Sequence, residues 1–272
     1  ILWSDLTSMV LKMKSIPSIS EHLGDLRFRD QPPKAAIGSA LKNLYFLGAI
    51  DERVSLTQIG NHMANLPVDP QMARALIASK DYDCIEEMLS IAAIMSTQQP
   101  CIIRPKKIDR SRFMKAMEQF ANYHGDHITM MNVYNKFMSC KKVNTSEEER
   151  KKWCNQNFVR FDALNEATLI RKQLSDKIKE PTRRNMMQFA NPNSPEYFKN
   201  IKQSLLHGYF MQIAQRDGER GRLFKPIVDR DMSITFDKFT FVHPESTLVI
   251  YHQLVETKNA VTMRTVTWID KK

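Results

Sequence analysis

The sequence is poor in the residues that build most catalytic loops. Eight glycines among 272 residues leave no G-x-x-x-x-G-K-[ST], G-x-G-x-x-G or G-x-S-x-G pattern. The phosphate-cradling and nucleophile-elbow signatures of NTPases, dinucleotide enzymes and hydrolases are therefore missing. The four cysteines, Cys84, Cys101, Cys140 and Cys154, are too sparse for a disulfide scaffold and too widely spaced for a zinc knuckle. They are expected to be reduced, in an intracellular compartment. No run of about 18 uncharged apolar residues is present to cross a membrane. The opening "ILWSDLTSMVLK" has no initiator Met and no uninterrupted apolar leader, so it reads as a cut inside a longer protein.

What the chain does have is positive charge, unevenly spread. Its net charge is +10. Residues 1–67 hold 7 basic and 6 acidic residues, 68–180 hold 19 and 15, and 181–272 hold 14 and 9. The excess lies in the second and third parts, which suggests a polyanionic partner there.

Periodicity and turn chemistry divide the chain in the same places. "PPKAAIGSALKNLYFLGAI" begins with prolines suited to a helix start and sets Ile37, Ala40, Leu41, Leu44 and Leu47 on one face before Gly48 stops it. "AIDERVSL" offers two short β-prone arms, and Thr57 can cap the helix that carries Ile59, Met63 and Leu66. Helix, helix, hairpin, helix is a winged-helix order, expected over 1–67.

Residues 68–180 read as a helical bundle. Asp69-Pro70 is an N-cap followed by proline at the first helical position. "IEEMLSIAAIM" is apolar almost all round, which marks a central helix. Phe113, Met117 and Phe120 share a face, and Ser146 with Glu149 forms a capping box ahead of Trp153. Asn-Pro and Ser-Pro steps near 190 mark a linker, and Ser194-Pro195 opens a further helix. Beyond Gly208, "GRLFKPIV", "SITF", "FTFV", "TLVIYHQLVET" and "AVTMRTVTWI" are five β-prone runs, the pattern of an OB-like barrel. The fold class is accordingly α+β and multidomain: winged helix (1–67), ratchet-like helical bundle (68–180), then linker helix and OB-like β-barrel (181–272).

The segment "HGDHITMMNVYNKF" gathers two histidines and an aspartate within four positions. Ile128, Met131, Tyr134 and Phe137 recur every three residues, so a helix runs here with Asp126 at its N-cap and His127 first within it. A metal site needs about three or four converging ligands, and no second His or Cys cluster stands nearby in sequence. His243, before a proline, reads as part of a turn. "RPKKIDRSRFMK" concentrates basic residues on a loop entering a helix, where they can meet phosphates without reading sequence. Arg183 and Arg184, and Arg216, Arg220 and Arg222, are further basic groups.

These phrases together resemble the C-terminal region of DEAH-box RNA helicases, over nearly the whole chain. "LKNLYFLGAID…LTQIGNHMANLPVDPQMARALI" looks like the family's winged helix running into its ratchet domain. "IIRP", "GDHITMMNVYNKF", "KWCNQNF" and "LIRKQL" look like ratchet phrases. "YFKNIKQSLLHGYFMQIA", "VHP", "LVIYHQLVET" and "MRTVT" look like the OB-fold region. "YFKNI", "GYFMQIA" and "MRTVT" are most similar to the member acting in spliceosome disassembly and ribosome biogenesis. The chain departs from the pattern at Arg53, where the wing turn usually carries glycine, at Arg160 and Asp162, and in a shortened loop after Pro244.

The resemblance implies the non-motor half of an ATP-dependent RNA helicase. The ATP and Mg sites would lie in RecA-like domains upstream, with no catalytic residue, cofactor or metal in these residues. Single-stranded RNA, a G-patch protein docked on the winged helix, and the spliceosome are the implied partners; the implied location is nuclear, and no membrane is involved. Arg104, Lys106, Lys107, Lys172, Lys258, Arg264 and Thr265 are the implied RNA surface. A motor that moves along any sequence should grip backbone through electrostatic, base-tolerant contacts. Two other readings stay open. One is a free-standing winged-helix and OB nucleic-acid binder, although residues 33–47 hold only Lys34 and Lys42 as basic groups for groove readout. The other is a metal hydrolase built on "HGDH".

Overall fold

The computed structural model describes residues 6–20, 32–104, 110–142, 145–178, 191–218, 223–237, 239–241, 245–257 and 260–269. The expectations for Lys106, Lys107, Arg183, Arg184, Arg220, Arg222, His243 and Lys258 fall outside them.

The N-terminal part contains α1 (Thr7–Lys14), α2 (Pro17–Ser20), α3 (Lys34–Phe46) and α4 (Gln58–Asn65). Ala40, Leu44 and Leu47 are the buried face of α3 and its end, and Gly48 closes it in the left-handed region at φ +71°. The wing is smaller than the two expected arms: one bridge, Ile50 to Leu56. Its turn is built by the Asp51 carboxylate, which accepts from the N–H of Arg53 (2.9 Å) and of Ser55 (2.8 Å). The left-handed residue is Val54, so Arg53 does not have to adopt the conformation a glycine there would supply.

Thr57 does two jobs in that turn. Its hydroxyl oxygen accepts from Gly60 N–H at 2.9 Å, capping α4, and its O–H donates to the Gly48 carbonyl at 2.6 Å. Thr57→Ala is expected to cost about 1–2 kcal/mol in urea unfolding, the upper range for a lost cap, because the wing loses its tie as well.

The bundle runs through α5 (Pro70–Ala78), α6 (Ile85–Met95), α7 (Arg110–Met117), α8 (Asp126–Lys142), α9 (Glu147–Gln156) and α10 (Phe161–Ile178). Asp69 caps α5 through Met72 N–H at 2.9 Å, and the Ser146–Glu149 capping box opens α9. α6 is central as its composition requires: Met88, Leu89, Ile91, Ala92 and Ala93 are fully buried between α8 and α10. Phe113, Met117 and Phe120 form one buried face, with Trp153 edge-on to Phe120 at 5.9 Å. α11 (Tyr197–Tyr209) lies against α5. Gly208 allows the approach, since a Cβ there would stand 2.0 Å from the Gln71 carbonyl oxygen. Ser204 Oγ donates to the Ala75 carbonyl at 2.9 Å.

The chain then forms β1 (Ile213–Arg216), β2 (Phe224–Pro226), β3 (Ile234–Phe236), β4 (Leu248–Glu256) and β5 (Val261–Trp268). These close into a barrel of order β1-β2-β3-β5-β4, with β3 and β5 parallel and the other pairs antiparallel. This is consistent with the expected OB-like fold, with one exchange of strands. "IAQR" is the first strand; only its Ala214 is buried, so it carries no alternation to detect. "FTFV" was expected as a strand, yet Phe239 to Phe241 form none. Their rings leave the barrel for a larger apolar partner, Phe113 of α7, at centroid distances of 5.0 and 6.5 Å.

Candidate nucleic-acid interface

Bundle and barrel meet along the "HGDH" segment, and the contact is made of backbone. Gly125 pairs with Thr267 as an antiparallel bridge, and Trp268 N–H donates to the His124 carbonyl at 3.0 Å. At Gly125, φ +142°, a Cβ would come within 2.5 Å of Thr267 Cα. α8 starts at Asp126 itself, which corrects the expectation of an N-cap. The Asp126 carboxylate reaches away from its helix and accepts from the N–H of Phe241 (2.6 Å) and of Val266 (2.9 Å). Burial pushes this carboxyl up to about 7, and the two N–H bonds offset only part of that. His127 Nδ1 lies 2.8 Å from Thr267 Oγ1, and burial, then the neighbouring His252, pushes its imidazole down to about 3. Among the described residues, no group of three or more His, Cys, Asp or Glu could hold a metal ion.

Above this seam a cleft of about 490 Å³ separates the two parts. Its bundle wall is fixed by a second short pairing. Ile102 bridges Val159, Ile103 N–H donates to the Phe158 carbonyl at 2.7 Å, and Arg160 N–H to the Cys101 carbonyl at 2.8 Å. Arg104 and Arg160 thereby stand on the same wall, Arg160 with its Nε–H on the Pro100 carbonyl at 3.1 Å. The barrel wall is β4 and β5, contributing His252, Gln253, Arg264 and Thr265. Thr265 is left-handed at φ 54°, which is strained for a β-branched residue. The β4–β5 register continues on both sides, through Tyr251–Val266 and Gln253–Arg264, while His252 and Thr265 between them are unpaired in the ladder. The ladder is thus interrupted at the lip of the cleft without a change of register.

Asp237, just after β3, ties the walls together. Its Oδ2 accepts from Arg104 Nη1 at 2.7 Å and from Arg264 Nε at 3.1 Å. Arg104 also lies over the Phe239 ring, 5.9 Å from its centroid. Three guanidiniums against the Asp237 carboxylate leave the cleft positive, since the Asp126 carboxyl holds much of its proton near neutrality. Beyond Arg160 lies a recess of about 470 Å³ of mixed charge, lined by Gln98, Lys151 and Asn155 and by the carboxylates Asp162 and Glu166.

Of the expected surface, the structure brings together Arg104, Arg264 and Thr265, 160 residues apart in sequence. Lys172 is exposed on α10 and does not line the cleft. Arg160, Gln253, His252 and Asp237 were not anticipated as a group. The one available signal was the pair of β-prone phrases "CIIRP" and "NFVRF", whose bridge sets Arg160 near Arg104.

Residues 40–68 match the family model described as helicase associated domain (HA2), winged-helix, and residues 69–130 match helicase associated domain (HA2), ratchet-like. The chain is 33% identical over 256 residues to a Mus musculus protein named "Putative pre-mRNA-splicing factor ATP-dependent RNA helicase DHX32", covering 93% of this chain and 32% of that one. It is 35% identical over 213 residues to the Xenopus laevis protein of the same name, covering 78% of this chain and 28% of that one. The chain spans about a third of the length of the curated relatives it matches. Residues 40–130 thus match the winged-helix and ratchet-like helicase-associated domains, in a chain similar to those two proteins over most of its own length.

Proposed function

We propose that the chain is the winged-helix, ratchet and barrel region of a DEAH-box ATP-dependent RNA helicase, and that single-stranded RNA runs through the cleft of Arg104, Arg160 and Arg264. The observation that carries this is the convergence of basic residues from two separate parts of the fold on one groove. Guanidiniums contact phosphate oxygens whatever the bases, as a translocating enzyme requires. ATP hydrolysis with Mg belongs to RecA-like domains of the whole protein. The names of the relatives support a nuclear role in pre-mRNA splicing, with the spliceosome as partner; spliceosome disassembly and ribosome biogenesis are the narrower form of the same reading. The domain limits of 1–67, 68–180 and 181–272 belong to it as well.

A G-patch activator would dock on the winged helix. Exposed Tyr45 and Phe46 end α3, and Phe46 lines a recess of about 370 Å³ with Leu206 and Phe210, edged by Arg74 and His207, an aromatic and aliphatic surface with a polar rim suited to a partner helix. The free-standing groove reader gains nothing, because α3 bears Lys34 and Lys42 as its basic residues.

The test is fluorescence anisotropy of labelled single-stranded RNA, duplex RNA and duplex DNA over a salt series. Single strands should bind best, independent of sequence. Arg160→Ala should weaken binding by about 3–10-fold and flatten the salt slope by about 0.7, the loss of one phosphate contact on a single strand. Equal binding of duplex DNA, or an unchanged slope in Arg160→Ala, would overturn the assignment of the cleft.

A further inference from the structure

We propose that Arg104 and Arg264 form one phosphodiester-binding site whose two cations RNA phosphate must share with a resident anion, Asp237. The inference deepens the RNA reading above and rests on it. One carboxylate oxygen takes a donor from each arginine, at 2.7 and 3.1 Å. The two donors are therefore no farther apart than the sum of those distances, a gap a single phosphodiester group can span. Both arginines line the cleft and Asp237 does not. Their side chains are a third exposed, that of Asp237 12%, so the carboxylate sits behind the pair and the approach from the cleft stays open. Asp237 is itself held by its backbone: its N–H donates to the Met263 carbonyl at 3.0 Å, and its Oδ1 accepts from Phe239 N–H at 3.1 Å.

A fixed carboxylate between two guanidiniums has a definite consequence for a backbone grip. With no phosphate in place it satisfies both arginines across the bundle–barrel boundary. With phosphate present, two anions share the same two cations, and the grip is weaker than two unpaired arginines would give. Strands that must be released at each step need such a limit.

The experiment is anisotropy of labelled oligouridylate with the 272-residue chain, its Asp237→Asn variant, and both again in an Arg104→Ala/Arg264→Ala background. Asn keeps the shape and an acceptor for Phe239 N–H. D237N is expected to bind about 3–10-fold more tightly than wild type, with a salt slope steeper by about 0.7, and the gain should vanish when both arginines are alanine. Binding by D237N but not by wild type supports the proposal equally. Unchanged or weaker binding would overturn it and make Asp237 a clamp only, with the RNA reading intact. An equal gain without the arginines would overturn it as an effect of overall charge. No binding by either protein at low salt sinks both the proposal and the RNA reading. If D237N does not fold, 15N NMR of the wild type decides: the Arg264 Nε–H signal should shift on RNA addition, and a stationary signal refutes the shared site.

Discussion

Gly125→Ala is expected to lower stability by roughly 4 kcal/mol and to loosen the barrel from the bundle. The residue sits at φ +142°, where an L side chain is strained by about 1–3 kcal/mol. A Cβ would also lie 2.5 Å from Thr267 Cα and 2.6 Å from the Val266 carbonyl oxygen. Those are backbone atoms of β5 that no rotamer change can clear, so the strand must move. Moving it breaks the Gly125–Thr267 bridge, the Trp268 N–H bond to His124 and the Val266 N–H bond to Asp126, each worth about 1 kcal/mol. Urea unfolding followed by tryptophan fluorescence reads the loss, because Trp268 lies on this seam, and limited proteolysis should cut within β4 and β5 first. Gly38, exposed inside α3 with nothing within 4 Å of its Cβ position, is the control. Gly38→Ala should be neutral or gain up to about 1 kcal/mol from helix propensity. Equal effects at the two glycines would show that the seam does not hold the barrel.

Local chemistry made much of this fold readable. Thr57, Asp69-Pro70 and Ser146–Glu149 cap the helices their types require, because a cap is decided within four residues. The barrel was harder. Its first strand, "IAQR", buries only Ala214 and is separated from the end of α11 by three residues, while "FTFV" has a strand's alternation but packs its phenylalanines on the bundle. The "HGDH" segment shows the limit most clearly. Its helix follows from the spacing of Ile128, Met131, Tyr134 and Phe137, but the partners of Asp126 lie 115 and 140 residues away, and nothing local announces them. The cleft divides the same way. Arg104 and Arg264 stand out as basic residues in phrases resembling a known family, whereas Asp237 acquires its meaning only from the two arginines that fold onto it.

Asp126→Asn should gain stability relative to wild type as pH rises, by on the order of 4 kcal/mol between about pH 4 and pH 7. In the folded chain burial holds the Asp126 carboxyl up at about 7, against an ordinary value of 3.8. Between those values the folded state binds the proton and the unfolded state does not, so the contribution of Asp126 falls as pH rises, at about 1.4 kcal/mol per unit. Below about pH 4 both states are protonated, and the isosteric amide, uncharged like the acid, should differ from wild type by about 1 kcal/mol. His127 next to it runs the opposite way. Its folded value of about 3, below the ordinary 6.5, makes the unfolded state the better proton binder, so its contribution rises from about pH 3 to 6.5. His252, also lowered by burial, adds to that rise. In wild type the Asp126 trend offsets that of His127 between about pH 4 and 6.5 and leaves only the rise from His252; in D126N both histidine trends stand unopposed and stability climbs more steeply with pH. Urea unfolding at pH 4.5, 5.5, 6.5 and 7.5 measures the difference directly. A variant that instead loses ground toward pH 7.5 would mean that the N–H groups of Phe241 and Val266 outweigh burial. Asp126 would then be an ionised anchor at the floor of the cleft, and its charge would count against the three arginines above it.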